Sequence, residues 1–266
     1  MTTAWVDLPS PRCDIKTQRL RGKRARLLKP RITNGPWREA VFVFLCLAGL
    51  SEATAEHLTK MMHLSREDLC VTEGALEEAP DQGLLVNVPK MRAYVNELTP
   101  QAVEARITYQ GRTEQEVPLG SGEMRRQFGF KLRAGDACNL VYAMWRIAPE
   151  SKMVVSVKTN PGQHTSTECG NRGYKNVKAT SSRPVPALRV GETHVLRAEM
   201  NGDRLSVFVD GAPVWEGSVG KEASAMQGPV GIRSDNARLQ IQLRAAEPLG
   251  TKSPAPGCHT SPDLAE

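Results

Sequence analysis

The stretch HVLRAEMNGDRLSVFVDGAPVWEG, His194–Gly217, admits few folds. Two turn signals, at Asn201–Gly202 and Asp210–Gly211, cut it into three short pieces. Asn-Gly and Asp-Gly steps tolerate the positive φ that tight hairpins require. Successive side chains of a strand point to opposite faces. Leu196, Ala198 and Met200 therefore share one face, with Arg197 and Glu199 on the other. Leu205, Val207 and Val209 repeat the alternation, and a third piece surrounds Val214–Trp215. The stretch reads as an antiparallel meander buried on one side.

The same grammar recurs in EARITYQG (Glu104–Gly111), QFGFKLRAGD (Gln127–Asp136), CNLVYAMWRI (Cys138–Ile147) and KMVVSVKTN (Lys152–Asn160). In RLQIQL, Leu239, Ile241 and Leu243 alternate with Gln240 and Gln242. Short strands at regular spacing, punctuated by Gly, Pro, Asn or Asp, predict an all-β sandwich or barrel. No parallel βαβ unit is visible.

Ala40–Leu50, AVFVFLCLAGL, is an uncharged apolar run of 11 residues. A membrane-spanning helix needs about 20, so no transmembrane span is expected here. Basic residues before the run and ATA (Ala53–Ala55) after it suit a signal peptide and its cleavage site. Residues 1–55 are accordingly read as a basic leader plus signal peptide, with translation starting later than Met1. A secreted or periplasmic address follows. The leader also holds the charge: residues 1–55 contain ten Lys or Arg and four Asp or Glu, which is the whole net charge of +6. The remaining 25 basic and 25 acidic residues balance. A neutral mature chain lacks the basic footprint of a nucleic-acid binder.

Outside the leader four cysteines remain, Cys70, Cys138, Cys169 and Cys258. An even number in an exported chain predicts disulfides, with three possible pairings. Cys138 opens a strand and Cys169 lies in the loop after the next one, so Cys138–Cys169 is the preferred bridge. It would close a loop of about 30 residues, worth about 3–4 kcal/mol. Cys70 with Cys258 is the second pairing. No cysteine–histidine spacing fits a zinc site.

Residues 56–83 form a weakly patterned lead-in, in which HLTKMMHLSREDL suits a short amphipathic helix and EEAPDQG a loop. Residues 84–244 carry the strands and form one domain. The Pro/Gly/Ser-rich segment 245–266 reads as a disordered tail.

His194–Gly217, followed by GPVGIRSDNARLQIQL (Gly228–Leu243), resembles the concanavalin A-like lectin/glucanase superfamily. It is most similar to the laminin-G-like and 3-keto-disaccharide-hydrolase-like branches over residues 194–243. The resemblance implies a two-sheet antiparallel jelly-roll sandwich whose concave face binds carbohydrate in many members. Glucanases of the superfamily carry Glu-x-Asp-x-(x)-Glu on one strand. That spacing is absent, and the nearest approach is Glu114–Glu116 near a turn.

The densest polar segment, Lys158–Lys178, gathers His164, Glu168, Arg172, Tyr174 and Asn176 between strands. Polar loops on a rigid β scaffold commonly carry binding residues. His164 and Glu168 are the candidates for acid/base chemistry. In the strand Leu140–Ile147, Tyr142 and Arg146 share a face and either pack under loops or line a groove beside Gln127 and Lys131. The candidate ligand-binding set is Tyr142, Arg146, Lys158, Asn160, Arg172 and Tyr174. Trp215 either stacks on a ligand or closes the core. Ser234–Arg238 and Asp210 offer oxygen ligands for Ca²⁺, without EF-hand spacing; no other cofactor is expected. GSGEMR (Gly120–Arg125) is neither a dinucleotide loop nor a P-loop, and GxSxG and HExxH are absent. These residues predict an exported, non-catalytic module for a carbohydrate or cell-surface ligand. A hydrolase acting near His164 and Glu168 is the alternative, and a structural or adhesion module the third.

Overall fold

The computed structural model describes residues 60–95 and 100–246. In chain order the strands begin with β1 (Met61–Leu64), β2 (Leu69–Glu73), β3 (Glu77–Ala79), β4 (Gly83–Val86) and β5 (Lys90–Val95). Then come β6 (Ala102–Arg112), β7 (Arg126–Leu132), β8 (Leu140–Ala148) and β9 (Lys152–Lys158). After the single turn α1 (Ser166–Cys169) follow β10 (Tyr174–Asn176), β11 (Ser181–Ser182), β12 (Thr193–Asn201), β13 (Arg204–Val209) and β14 (Ala212–Ser218). The short helix α2 (Lys221–Ala225), β15 (Gly231–Asp235) and β16 (Ala237–Ala246) complete the fold.

Among the described residues these strands form two antiparallel sheets, giving the jelly-roll sandwich expected from the sequence. One has nine strands, in the order β11-β14-β13-β12-β6-β16-β4-β3, with β1 also on β16. The other has seven, in the order β10-β9-β8-β7-β15-β5-β2. The hairpins follow from local chemistry. Val209 pairs with Ala212, leaving Asp210 (φ 51°) and Gly211 (φ 78°) as a two-residue loop. Positive φ at both positions is the twist-matched hairpin geometry that Asp-Gly favours. At the preceding hairpin Asn201 pairs with Arg204, so Gly202 and Asp203 form the loop rather than Asn201–Gly202.

The core lies between the sheets. Leu196, Ala198 and Met200 of β12, Leu205, Val207 and Val209 of β13, and Leu239, Ile241 and Leu243 of β16 all point into it. Phe128, Phe130, Val141, Ala143, Trp145 and Ile232 answer from the seven-stranded sheet. Trp215 belongs to this core, 4% exposed, which settles its role as a core closure.

The lead-in is corrected. Residues 61–64, 69–73 and 77–79 are strands joined by turns rather than an amphipathic helix, and of EEAPDQG only Pro80–Gln82 is a turn: β1 pairs with β16, β2 with β5 and β3 with β4. Sheet edges with unpaired backbone groups take up the segment, and Leu64, Leu69 and Cys70 are buried there. Local pattern yields to tertiary packing. The sandwich therefore starts before residue 84, and β16 runs on to Ala246. The leader and signal peptide (1–55), Cys258 with its proposed bond to Cys70, and most of the tail lie outside the described residues. Among the described residues no helix is long and apolar enough to cross a membrane.

Candidate functional site

The seven-stranded sheet has a second face, turned away from the nine-stranded sheet, and register assembles it in rows. Tyr94, Gly231, Lys131, Tyr142, Ser156 and Asn176 form one row across β5, β15, β7, β8, β9 and β10. Arg92, Arg233, Gly129, Met144 and Val154 form the next. Asp235, Gln127 and Arg146 form a third. Gly129 is required by close approach, because a Cβ there would sit 2.1 Å from the Ala143 carbonyl oxygen and 2.9 Å from the Met144 sulfur.

Loops wall this face. Residues 113–125 are held over it by Asn236, in the left-handed region (φ 57°) between β15 and β16. Its Nδ2 donates to the carbonyls of Val117 (2.8 Å) and Arg125 (2.9 Å), while its Oδ1 accepts from the Val117 amide at 2.9 Å. The other wall joins residues 133–139 to 159–173 through the Cys138–Cys169 disulfide. Asp136 knots that wall together. Its Oδ1 accepts from the amides of Cys138 and Asn139, both at 2.7 Å, and its Oδ2 lies 2.7 Å from His164 Nδ1. Under this cover Tyr94, Ala134, Leu140, Tyr142 and Met144 make a second apolar cluster. Both expectations for this strand are met in part, since one section of the face is loop-covered and the rest is open.

The open part is a groove of about 410 Å³. Ligand pockets run from about 300 to 1,000 Å³. Tyr142 lies on its floor, stacked on Tyr174 with ring centroids 5.8 Å apart, and Tyr174 is 43% exposed. Arg125, Arg146, Arg233 and Gln127 line it, with Glu123, Asn171, Ser156 and Asn176 at its sides. A second hollow, about 230 Å³, shares Gly120, Asn171, Tyr174 and Arg233 with it and adds Arg92, Lys90, Lys158 and Glu73.

A buried charge network supports the floor. Asp235 Oδ1 binds Arg92 Nη2 at 2.7 Å. Its Oδ2 accepts from Gln127 Nε2 at 2.6 Å and Arg233 Nε at 2.9 Å. Burial pushes the Asp235 carboxyl upward, but Arg233, Arg92 and the Gln127 hydrogen bond outweigh it and hold it below 3.8. Burial and the neighbouring charges of Arg146 and Arg233 hold the Arg125 guanidinium below its ordinary range, and burial does the same to Arg146. Among the described residues, Gln127 Oε1 and Arg146 Nε are buried without a protein hydrogen-bond partner.

The structure sorts the sequence candidates. Tyr142, Arg146 and Tyr174 come together in the groove. Lys158 lines the adjoining hollow, where Nζ donates to the Ala137 carbonyl at 2.8 Å and sits 5.1 Å from the Tyr174 ring centre. Asn160 and Arg172 fasten the wall instead. Asn160 Nδ2 donates to the carbonyls of Cys138 and Arg172, and Arg172 donates to those of Cys169 and Glu168. His164 and Glu168 are not among the groove's lining residues. Glu168 Oε2 accepts the amides of His164 (2.8 Å) and Thr165 (2.9 Å), capping α1. The amides of Thr165 and His164 hold its carboxyl below the usual range. The oxygens considered for Ca²⁺ are divided between the sheets: Asp210 pairs with His194 on the nine-stranded sheet, and Asp235 is engaged by arginines on the other.

Sequence reading missed Arg125 and Arg233. Arg233 was legible, since it alternates with the core residue Ile232 and so must face outward. Arg125 lies on a loop, where no periodicity applies.

No protein-family model and no curated protein matches the chain. Solved structures with a similar arrangement include the carbohydrate-binding module CBM66 from Bacillus subtilis, at 13% identity and TM-score 0.45, covering 68% of this chain and 96% of that one. The Caenorhabditis elegans galectin LEC-6 aligns at 9% identity and TM-score 0.38, covering 70% and 99%. A Crh5 transglycosylase in complex with NAG aligns at 11% identity and TM-score 0.44, covering 73% and 86%.

Proposed function

We propose that this sandwich is an exported, non-catalytic carbohydrate-binding module whose ligand occupies the groove on the outer face of the seven-stranded sheet. One observation carries the reading. The exposed Tyr174 ring, backed by Tyr142, stands in a groove of about 410 Å³ lined by Arg125, Arg146, Arg233, Asn171 and Ser156. A sugar matches both features, with hydroxyls for the polar side chains and an apolar C–H face for the aromatic ring. Tyr174 and Arg146 are the direct contacts in this reading, with Tyr142 backing the Tyr174 ring and the Lys158 ammonium 5.1 Å from its centre.

Binding is favoured over hydrolysis by the carboxylates. Retaining hydrolysis needs two facing carboxyls about 5–5.5 Å apart, whereas Glu123 is the carboxylate lining the groove and Asp235 beneath it is engaged by Arg92 and Arg233. Export is supported by the Cys138–Cys169 bridge and the apolar run Ala40–Leu50. Within the concanavalin A-like class, the β13–β14 hairpin and the Gly228–Ile232 lead into β15 support the laminin-G-like or 3-keto-disaccharide-hydrolase-like branch.

A glycan array probed with the full chain, beside Tyr174→Ala, tests this. The expected result is saturable binding to at least one glycan, weakened about tenfold or more in the variant. Silence across the array from folded protein contradicts the reading.

A further inference from the structure

We infer that the ligand is an acidic glycan, whose carboxylate or sulfate group seats among the guanidinium groups of Arg125, Arg146 and Arg233. The inference rests on the glycan reading of the groove and adds its charge class. Six cationic side chains and two carboxylates line the two contiguous hollows. The excess is local, because residues 56–266 carry 25 basic and 25 acidic residues. It is not the overflow of a basic chain.

The three groove arginines are not equivalent. Arg233 is tied to Asp235, and Arg125 pairs with Glu123. Arg146 makes no ion pair among the described residues and lines the groove, half-buried, with Arg125 and Arg233. Guanidinium groups converging on one groove repel one another, and a partly buried one gains from an opposite charge. An oxyanion in the groove supplies it, since carboxylate and sulfate accept a guanidinium's terminal N–H groups bidentately. It would also relieve the mutual repulsion that, after burial, lowers Arg125.

The same geometry argues against nucleic acid. Backbone recognition of that polymer uses an extended basic stripe. Here the cations converge on one walled groove, beside the Tyr142–Tyr174 stack.

The test titrates the full chain with three oligosaccharides of equal length: an oligogalacturonate, its carboxyl-reduced neutral counterpart, and the sulfated form of that counterpart. Arg146→Gln, Arg125→Gln and the distant Arg204→Gln are measured alongside, with folding checked by thermal melting. At least one acidic oligomer is expected to bind about tenfold or more tightly than the neutral one, and more weakly as salt is raised. Arg146→Gln should lose about 10- to 100-fold of that affinity, and Arg204→Gln less than about twofold. Arg125→Gln, on a loop outside the strands, carries the test if Arg146→Gln fails to fold.

If the neutral oligomer binds as well as both acidic ones, the inference falls and the glycan site stands. Equal losses in Arg146→Gln and Arg204→Gln would assign the acidic preference to general surface charge and overturn the inference. No binding by any of the three, with the array also silent, overturns both readings. Array binding confined to neutral glycans overturns the inference alone.

Discussion

Asp235→Ala is expected to lose about 3–5 kcal/mol of folding free energy. Asp235 is fully buried, and its two oxygens bind Arg92, Arg233 and Gln127. Removing it takes away the carboxylate that Arg92 and Arg233 share across β5 and β15, and Glu73 Oε2, 3.7 Å from Arg92 Nε, is a longer and less buried replacement. Arg92, 3% exposed, cannot turn to water. A half-exposed surface pair such as Arg197–Glu199 is worth about 0–1 kcal/mol, so Glu199→Ala is the control.

The acid dependence has a definite sign. The folded-state pKa of Asp235 lies below its ordinary 3.8, so its contribution is fully present above that value and is lost as pH falls further. The variant should lack this component of acid destabilisation. Urea melts of both proteins at several pH values measure it. A cost no larger than that of Glu199→Ala would show that the network does not hold the sheet together.

Trp145→Ala is the second large effect, at about 3–5 kcal/mol. The indole is 0% exposed in the inter-sheet core, donates Nε1–H to Ser151 Oγ at 3.3 Å, and meets the His194 ring edge-on at 5.6 Å. The truncation therefore opens a cavity that bridges both sheets. Trp145 also alternates on β8 with Met144 and Arg146, so its packing fixes the strand on which the groove rests. Trp145→Phe should recover part of the loss by refilling the space. A cost below about 1 kcal/mol in Trp145→Ala, by the same urea melts, would contradict the packing described here.

What the chain made legible follows from where local chemistry decides structure. Asp210–Gly211 permits one kind of turn, and Leu239, Ile241 and Leu243 must share a face, so the hairpins and inner faces were readable directly. The lead-in was not, because Leu64 and Leu69 find their burial only at edges formed by β16 and β5, far along the chain. The groove was half readable. Tyr142 and Arg146 are four apart, hence on the same side of a strand whose other face carries Val141, Ala143 and Trp145. The loop that brings Arg125 beside them depends on Asn236, a residue that reads as an ordinary turn former. His164 and Glu168 stand out as acid/base candidates because a polar loop displays such residues. In the fold they secure the wall, through Asp136 and the cap of α1.

The central claim is that the ligand lies on the outer face of the seven-stranded sheet. Hydrogen exchange of the full chain, with and without its strongest-binding array glycan, tests it most directly. The account predicts slower exchange in residues 119–125 and 170–176, which wall the groove, with the 201–216 hairpins of the nine-stranded sheet unchanged. Protection centred on those hairpins, or none under saturating glycan, would contradict it.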